Sequence, residues 1–158
     1  MTSSNCLSLS NAGQLELVRG FRERRALLRT TVRGASMSPL IRDRDVVTVA
    51  PVDGGALRVG DVVAAAVGDA GSPRRLVVHR VVERRPGGLL LKGDACTDAD
   101  GVIRPGDVLG RVVRVERRGR TVRLGTTAGA AGGAVLAALS RSGALTLGRR
   151  WRRSLRRG

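Results

Sequence analysis

The middle of the chain alternates between short apolar runs and clusters of turn-forming residues. Runs of Val, Leu and Thr separated by Gly, Pro and Asp are typical of short strands joined by tight turns. No helical pattern stands between the runs, which argues against crossover helices and a parallel sheet. We therefore predict a mainly β domain of coiled antiparallel sheets over residues 31–125. Its strand candidates are Val46–Val49, Val62–Val63, Leu76–Val78, Val81–Val82, Leu89–Leu91, Val108–Val115 and Thr121–Leu124.

Both ends of the chain have a different texture. Residues 1–13 are polar and rich in Ser and Asn, which predicts a disordered leader. Over residues 14–30, apolar positions recur at roughly helical spacing among Arg and Glu, which predicts an amphipathic helix. Residues 126–158 are Ala/Gly-rich and then Arg-rich, and here we predict a tail with a weak, basic C-terminal helix.

The formal charge of +16 is carried almost wholly by arginine, since Lys92 is the only lysine. Such a charge suggests an anionic partner, although a compositional arginine bias and a merely solvated tail are the alternatives. With one Phe, one Trp and no Tyr, the chain lacks base-stacking platforms, so nucleic acid is not the expected partner.

No stretch reaches the roughly 20 apolar residues that a membrane-spanning helix needs. The Arg-rich C-terminal segment could instead lie on an anionic membrane surface. We therefore predict peripheral membrane association, on either side of the membrane, with a cytoplasmic location as the alternative. The oligomeric state is left open.

Three features could carry chemistry. Ser36 lies in a Gly-lined turn, His79 is the only histidine, and acidic residues cluster between Asp94 and Asp100. A serine hydroxyl needs a base within hydrogen-bond reach, and histidine with a carboxylate behind it provides one. Taken singly, Ser36 is equally an ordinary turn residue and His79 a half-buried structural histidine.

The order of the motifs changes this balance. The segments 34–39, 45–49, 59–63, 79–82 and 92–94 (Gly-Ala-Ser-Met-Ser-Pro, Asp-Val-Val-Thr-Val, Val-Gly-Asp-Val-Val, His-Arg-Val-Val and Lys-Gly-Asp) follow one another along the chain. In this order they resemble the boxes of the signal peptidase I-like serine peptidases. That superfamily also holds the LexA-type self-cleaving repressors. The similarity covers about Val32 to Val115, and residues 105–112 resemble its closing strand.

The resemblance implies a fold of the signal peptidase/LexA-like type with Ser36 as nucleophile. His79 followed by Arg-Val resembles the archaeal and endoplasmic-reticulum branch, in which histidine replaces a general-base lysine. The carboxylate behind His79 is then Asp100 by spacing, with Asp94 as the box aspartate, and we keep both as candidates. Lys92 is predicted to be a surface residue rather than the base.

The family binds its substrate as an extended strand at a sheet edge and cleaves after small residues. We predict that Gly34, Ala35, Met37 and Pro39 contact the substrate, with Met37 in the floor of the site. Val46–Val49 is a further candidate for a substrate-binding strand. The resemblance implies no cofactor and no metal.

Three departures from the family pattern stand out. Arg44 replaces the usual glycine before the aspartate of the second box, and Gly34 stands where many signal peptidases have an oxyanion-hole serine. No N-terminal membrane anchor is predicted, which weakens secretory signal peptides as substrates. Cys6 and Cys96 match no metal spacing, and a disulfide between them is left open.

The predicted function is a serine endopeptidase that cleaves signal-peptide-like or precursor peptides after small residues. A narrower form of this prediction is the maturation of one dedicated precursor. The alternative from another class is a non-catalytic, peptidase-like module that binds membrane or nucleic acid through its basic tails.

Overall fold

The computed structural model describes Glu16, Gly20 and residues 23–68 and 74–122 of the 158-residue chain. Within these residues the chain forms eight β-strands and two single-turn 3-10 helices at Gly54–Ala56 and Pro105–Asp107. The strands are β1 (Leu28–Thr31), β2 (Val46–Ala50), β3 (Val62–Val67), β4 (Arg75–Arg85), β5 (Gly88–Lys92), β6 (Gly101–Ile103), β7 (Val108–Arg117) and β8 (Arg120–Val122).

The strands form one curled sheet in the order β1-β2-β7-β3-β4-β5-β6, and β8 pairs with β7. All the strand pairs are antiparallel. The predicted mainly β, antiparallel fold is therefore confirmed.

The helix predicted over residues 14–30 is wrong at its end, because Leu28–Thr31 forms β1. These four residues alternate between buried and exposed and pair with β2, so sheet pairing outweighs the helical spacing. Farther back, Glu16, Gly20 and Glu23 have helical conformation, and the Arg24 N–H donates to the Gly20 carbonyl at 3.2 Å.

The predicted leader at 1–13 and the predicted tail at 126–158, with its basic helix, lie outside the described residues. Within the described part of the chain, no helix combines the length and the apolar character needed to cross a bilayer.

Three Arg-x-x-Asp turns start strands β2, β3 and β7. In Arg42–Asp45, Arg58–Asp61 and Arg104–Asp107, the aspartate N–H donates to the arginine carbonyl at 3.1, 3.1 and 2.9 Å. In the first two turns the carboxylate also accepts the arginine backbone N–H, at 2.8 and 2.9 Å. The carboxylate thus closes the turn that aims the chain into a buried strand.

Arg44 occupies a backbone position that favours glycine. Its φ is 67°, in the left-handed region, and Gly60 at the same place in the second turn has a φ of 100°. An L-residue there costs roughly 1–2 kcal/mol relative to a right-handed conformation. Arg44 in place of the usual glycine therefore leaves the turn geometry intact but raises the conformational free energy of the turn.

The core is aliphatic and lies on both faces of β3. Val62, Ala64 and Ala66 belong to one hydrophobic cluster, whereas Val63, Ala65 and Val67 belong to another. Successive side chains of a strand point to opposite faces, so a strand buried on both faces shows no polar alternation. This explains why β3 reads as an unbroken apolar run.

The segment between β1 and β2 is held to the sheet by Asp45 and Arg117. The Asp45 carboxylate, 2% exposed, accepts Arg117 Nε and Nη2 at 2.9 and 2.7 Å, and Arg117 Nη2 also donates to the Leu40 carbonyl at 2.9 Å. Burial raises the pKa of Asp45, but the hydrogen bonds from Arg117 and from the Arg42 N–H outweigh it. The net pKa lies below the ordinary aspartate value.

This pair predicts a pH-dependent contribution to stability. Because the pKa of Asp45 is lowered on folding, its contribution is full above the unfolded pKa of about 3.9 and disappears as the pH falls through the folded value. Asp45→Asn should lower the free energy of unfolding at pH 7 by about 1.5–3 kcal/mol. Urea denaturation at pH 7 and pH 3 measures the difference.

Asp53→Asn is the matched control, because Asp53 is exposed and its side chain makes no capping hydrogen bond. An equal loss in the two variants, or a loss at pH 3 as large as at pH 7, would contradict the role of Asp45.

Candidate active site

Ser36 lies in the turn-rich segment between β1 and β2. The residues on its C-terminal side anchor this segment, because Met37 and Ile41 are 2% and 1% exposed and belong to the core. The Ile41 N–H also donates to the Met37 carbonyl at 3.0 Å. Ser36 itself is half-buried. The core therefore fixes the turn while Ser36 remains partly exposed.

His79 faces the Ser36 hydroxyl from β4. The His79 Nε2 atom lies 3.0 Å from Ser36 Oγ, although 43 residues separate them in the chain. His79 is 5% exposed, and β3 pairs with β4 directly opposite it at Val63. The sheet thus fixes the backbone that carries the imidazole.

Asp100 contacts the other nitrogen of the same ring. Its Oδ2 atom hydrogen-bonds His79 Nδ1, and its own backbone N–H donates to the Leu91 carbonyl at 2.8 Å. A carboxylate on Nδ1 fixes the tautomer in which Nε2 is free to accept a proton. Ser36, His79 and Asp100 therefore form a continuous hydrogen-bonded chain.

Asp94 is not the residue behind His79. Its carboxylate receives Arg80 Nε and Nη2 at 2.8 and 2.7 Å, and both side chains are almost fully buried. Arg80 Nη1 also donates to the Gly60 carbonyl at 2.8 Å. Arg80 engages both carboxylate oxygens of Asp94, so of the two candidate aspartates it is Asp100 that contacts His79.

The loop of residues 93–100 joins the site together. The Ala95 N–H donates to the Ser36 carbonyl at 2.7 Å. A Cβ on Gly93 would lie 2.8 Å from that same carbonyl oxygen and 3.1 Å from His79 Nε2. Only a residue without a side chain allows this approach.

Sequence reasoning missed the roles of Gly93 and Ala95. The Lys-Gly-Asp box was the available signal for Gly93, but the box alone does not say what its glycine faces. Ala95 acts through its backbone, which a sequence does not mark.

The predicted substrate contacts divide into two groups. Gly34, Ala35 and Pro39 are exposed beside Ser36, so they are available to a substrate. Met37 is wrong as a direct contact, because it is buried in the core beneath the turn. Val46–Val49 is also wrong, because β2 is already paired with β1 on one side and β7 on the other.

Lys92 and Cys96 complete the surroundings. Lys92 is 5% exposed, so the prediction of a surface lysine is wrong. Cys96 is a free thiol, whereas Cys6 lies outside the described residues. Burial raises the pKa of the Cys96 thiol, and the Asp100 charge raises it further. This environment disfavours a reactive thiolate.

The backbone N–H of Ser36 could stabilise an oxyanion. Among the described residues, the Ser36 N–H has no hydrogen-bond partner. The Gly34 N–H is already occupied, since it donates to Asp43 Oδ1 at 2.8 Å. Ser36 can therefore offer its own N–H to a developing negative charge, and Gly34 cannot offer a second one without breaking an existing bond.

Comparison with known proteins adds one finding to this geometry. Neither the curated proteins nor the solved structures contain a significant match to the chain. A protein-family model described as Peptidase S24-like matches residues 6–113, more than half of the chain. The match includes Ser36, His79 and Asp100 together with the loop that connects them. The chain therefore belongs to the Peptidase S24-like family.

Proposed function

We propose that the protein is a serine endopeptidase in which Ser36 is the nucleophile, His79 the general base and Asp100 the residue that orients His79. The observation that carries the proposal is the 3.0 Å contact between Ser36 Oγ and His79 Nε2, with Asp100 on the opposite ring nitrogen. Family membership supports peptidase chemistry independently of this geometry.

The proposed reaction has two stages. Ser36 Oγ attacks the peptide carbonyl carbon while His79 Nε2 takes the hydroxyl proton. His79 then gives that proton to the leaving amine, and the peptide C–N bond breaks to leave an ester on Ser36. In the second stage water attacks the ester carbon while His79 accepts a proton from it. The bond between that carbon and Ser36 Oγ then breaks as His79 returns the proton to Oγ, and the carboxylic acid product leaves and gives its proton to solvent.

The edge of β4 supports an extended substrate. Residues Arg75–Arg80 pair with β3 on one side, whereas pairing with β5 on the other side begins only at Arg80. Among residues 23–68 and 74–122, no strand pairs with this edge of the N-terminal half of β4, which ends at His79. A substrate strand added to it would run toward Ser36 by β-augmentation.

A peptide or precursor protein is the proposed substrate, cleaved after small residues. The small, exposed Gly34 and Ala35 next to Ser36 are consistent with close approach of a peptide backbone. The charge of +16 supports recruitment to an anionic membrane surface, which we propose as the setting of the reaction.

Loss of either reacting group should abolish turnover. Ser36→Ala should lower kcat for a peptide with Ala before the scissile bond by about 10⁶-fold, and His79→Ala by a comparable factor. Labelling with a serine-acylating fluorophosphonate, read by mass spectrometry, should modify Ser36 in the wild type. Ser38→Ala is the control, since Ser38 lies two residues away in the same turn and should keep both labelling and turnover. Full activity of Ser36→Ala would disprove the proposal.

The two aspartates should separate activity from stability. Asp100→Asn should lower kcat by about 10³–10⁴-fold with little change in the melting temperature, because the wrong tautomer of His79 is favoured. Asp94→Asn should lower the free energy of unfolding by about 3–5 kcal/mol, because it leaves Arg80 buried without its counter-charge, and should lower kcat less than Asp100→Asn does. Thermal melts and turnover rates of both variants provide the measurement. The reverse assignment of the two effects would contradict the geometry.

Gly93 should tolerate no side chain. Gly93→Ala should lower kcat on the order of 100-fold, because the new methyl group displaces the Ser36 carbonyl or the His79 ring. Gly55→Ala serves as the control, since a Cβ there meets no atom within 4 Å. Equal activity of the two variants would show that the loop of residues 93–100 adapts freely.

A further inference from the structure

Arg75 lies next to the hydrogen-bonded chain of Ser36, His79 and Asp100. It contacts the carboxylate oxygen of Asp100 that does not bind His79. Its Nη2 atom lies 3.7 Å from Asp100 Oδ1, whereas His79 Nδ1 is bonded to Oδ2. Among the described residues, Arg75 is the one cationic side chain that pairs with Oδ1. The two contacts therefore approach the carboxylate from both of its oxygens.

The strand places Arg75 for this contact. Arg75 and His79 are four residues apart on β4, and residues at even separation along a strand share a face. Both residues therefore face Asp100, which leads into β6. Arg74, the preceding residue, instead pairs with Asp107 at 2.8 Å, so the two neighbouring arginines serve different carboxylates.

The physical need for Arg75 follows from the freedom of an aspartate side chain. Rotation about the last bond of aspartate is broad, so a single hydrogen bond to one oxygen leaves the carboxylate plane loosely defined. A cation on the second oxygen narrows this rotation. Asp100 is 8% exposed on its side-chain atoms, so little water is available to hold Oδ1 in place of Arg75.

The other charged and titratable groups near Asp100 do not take this role. Burial and the negative charge of Asp100 both raise the pKa of the Cys96 thiol, so the thiol remains neutral. Lys92, on β5, acts on Cys96 electrostatically and appears in no ion pair with Asp100.

We propose that Arg75 is a positioning residue that holds the Asp100 carboxylate in the plane of the His79 imidazole. The proposal rests on the proposed function. Arg75 is 62% exposed on its side chain, so its effect is that of a solvent-screened ion pair. Such pairs change free energies by at most about 1 kcal/mol, which limits the expected effect on kcat to about fivefold.

The test compares Arg75→Gln, Arg75→Lys and Arg85→Gln, each alone and combined with Asp100→Asn. Arg85→Gln is the matched control, because it removes an exposed arginine from the same strand whose partner is Glu83. Arg75→Gln should lower kcat two- to fivefold with KM unchanged, Arg75→Lys should retain most activity, and Arg85→Gln should equal the wild type. In the Asp100→Asn background, Arg75→Gln should have no further effect.

A second measurement is independent of turnover. His79 is the only histidine, so its Nδ1 proton gives a single downfield imidazole resonance in the untagged protein. This resonance should disappear in Asp100→Asn, shift in Arg75→Gln and stay in place in Arg85→Gln. It tests the contact even if the wild type cleaves no peptide, a result that would count against the proposed function alone.

Three results would overturn the role of Arg75. The first is an unchanged kcat together with an unchanged resonance in Arg75→Gln. The second is a rise in KM with no change in kcat, which would make Arg75 a substrate-binding residue. The third is an equal loss from Arg75→Gln with and without Asp100→Asn, since a residue that acts through Asp100 cannot act without it.

Discussion

The buried ion pair between Arg80 and Asp94 is the constraint on which the site depends. Exchanging a buried ion pair for apolar side chains is often neutral or stabilising, so net stability is a poor explanation for it. Its geometry explains it better. Arg80 follows His79 on β4, and Asp94 follows Gly93 in the loop that carries Asp100. The bidentate contact therefore fixes the loop against the strand at the point where His79 must meet Asp100.

The other contacts of the site involve residues next to this ion pair in the chain. Ala95, one residue beyond Asp94, binds the Ser36 carbonyl, and Gly93, one residue before it, leaves room for the imidazole. Ser36 is in turn held by its neighbour Met37, which packs in the core, and the segment that carries it is held by the Asp45–Arg117 pair. Two ion pairs thus hold two loops in contact: one joins β7 to the segment between β1 and β2, and the other joins β4 to the loop between β5 and β6. Neither pair includes a residue of the proposed reaction.

The same arrangement explains how a strongly basic chain accommodates two buried carboxylates. Asp45 and Asp94 are 2% and 1% exposed, and each is matched by one arginine through two hydrogen bonds. Arginine suits this use, because its planar guanidinium binds both oxygens of a carboxylate. In the described part of the chain, arginine therefore gives both of these buried aspartates a partner.

The sequence by itself determined most of the strand segments, their antiparallel class and two of the candidate site residues, Ser36 and His79. Strands can be predicted from local features, such as a turn-closing aspartate followed by a run of valines. Ser36 and His79 lie in short motifs whose order along the chain can be recognised from the sequence. The residue pattern also marked Arg44 as unusual, and the structure gives the reason in its positive φ.

Only the tertiary structure decided between Asp94 and Asp100, because both lie in one acidic loop and the choice depends on which oxygen reaches which partner. It also placed Lys92, predicted at the protein surface, and Met37, predicted to contact substrate, in the interior. Both edges of Val46–Val49 are paired, which closes this strand to substrate. The helix predicted over residues 14–30 does not reach its predicted end for a similar reason. Leu28–Thr31 pairs with β2, and no local sequence pattern predicts this partner. Sequence motifs name the groups that can react. The curl of the sheet and the long-range hydrogen bonds decide which of them meet.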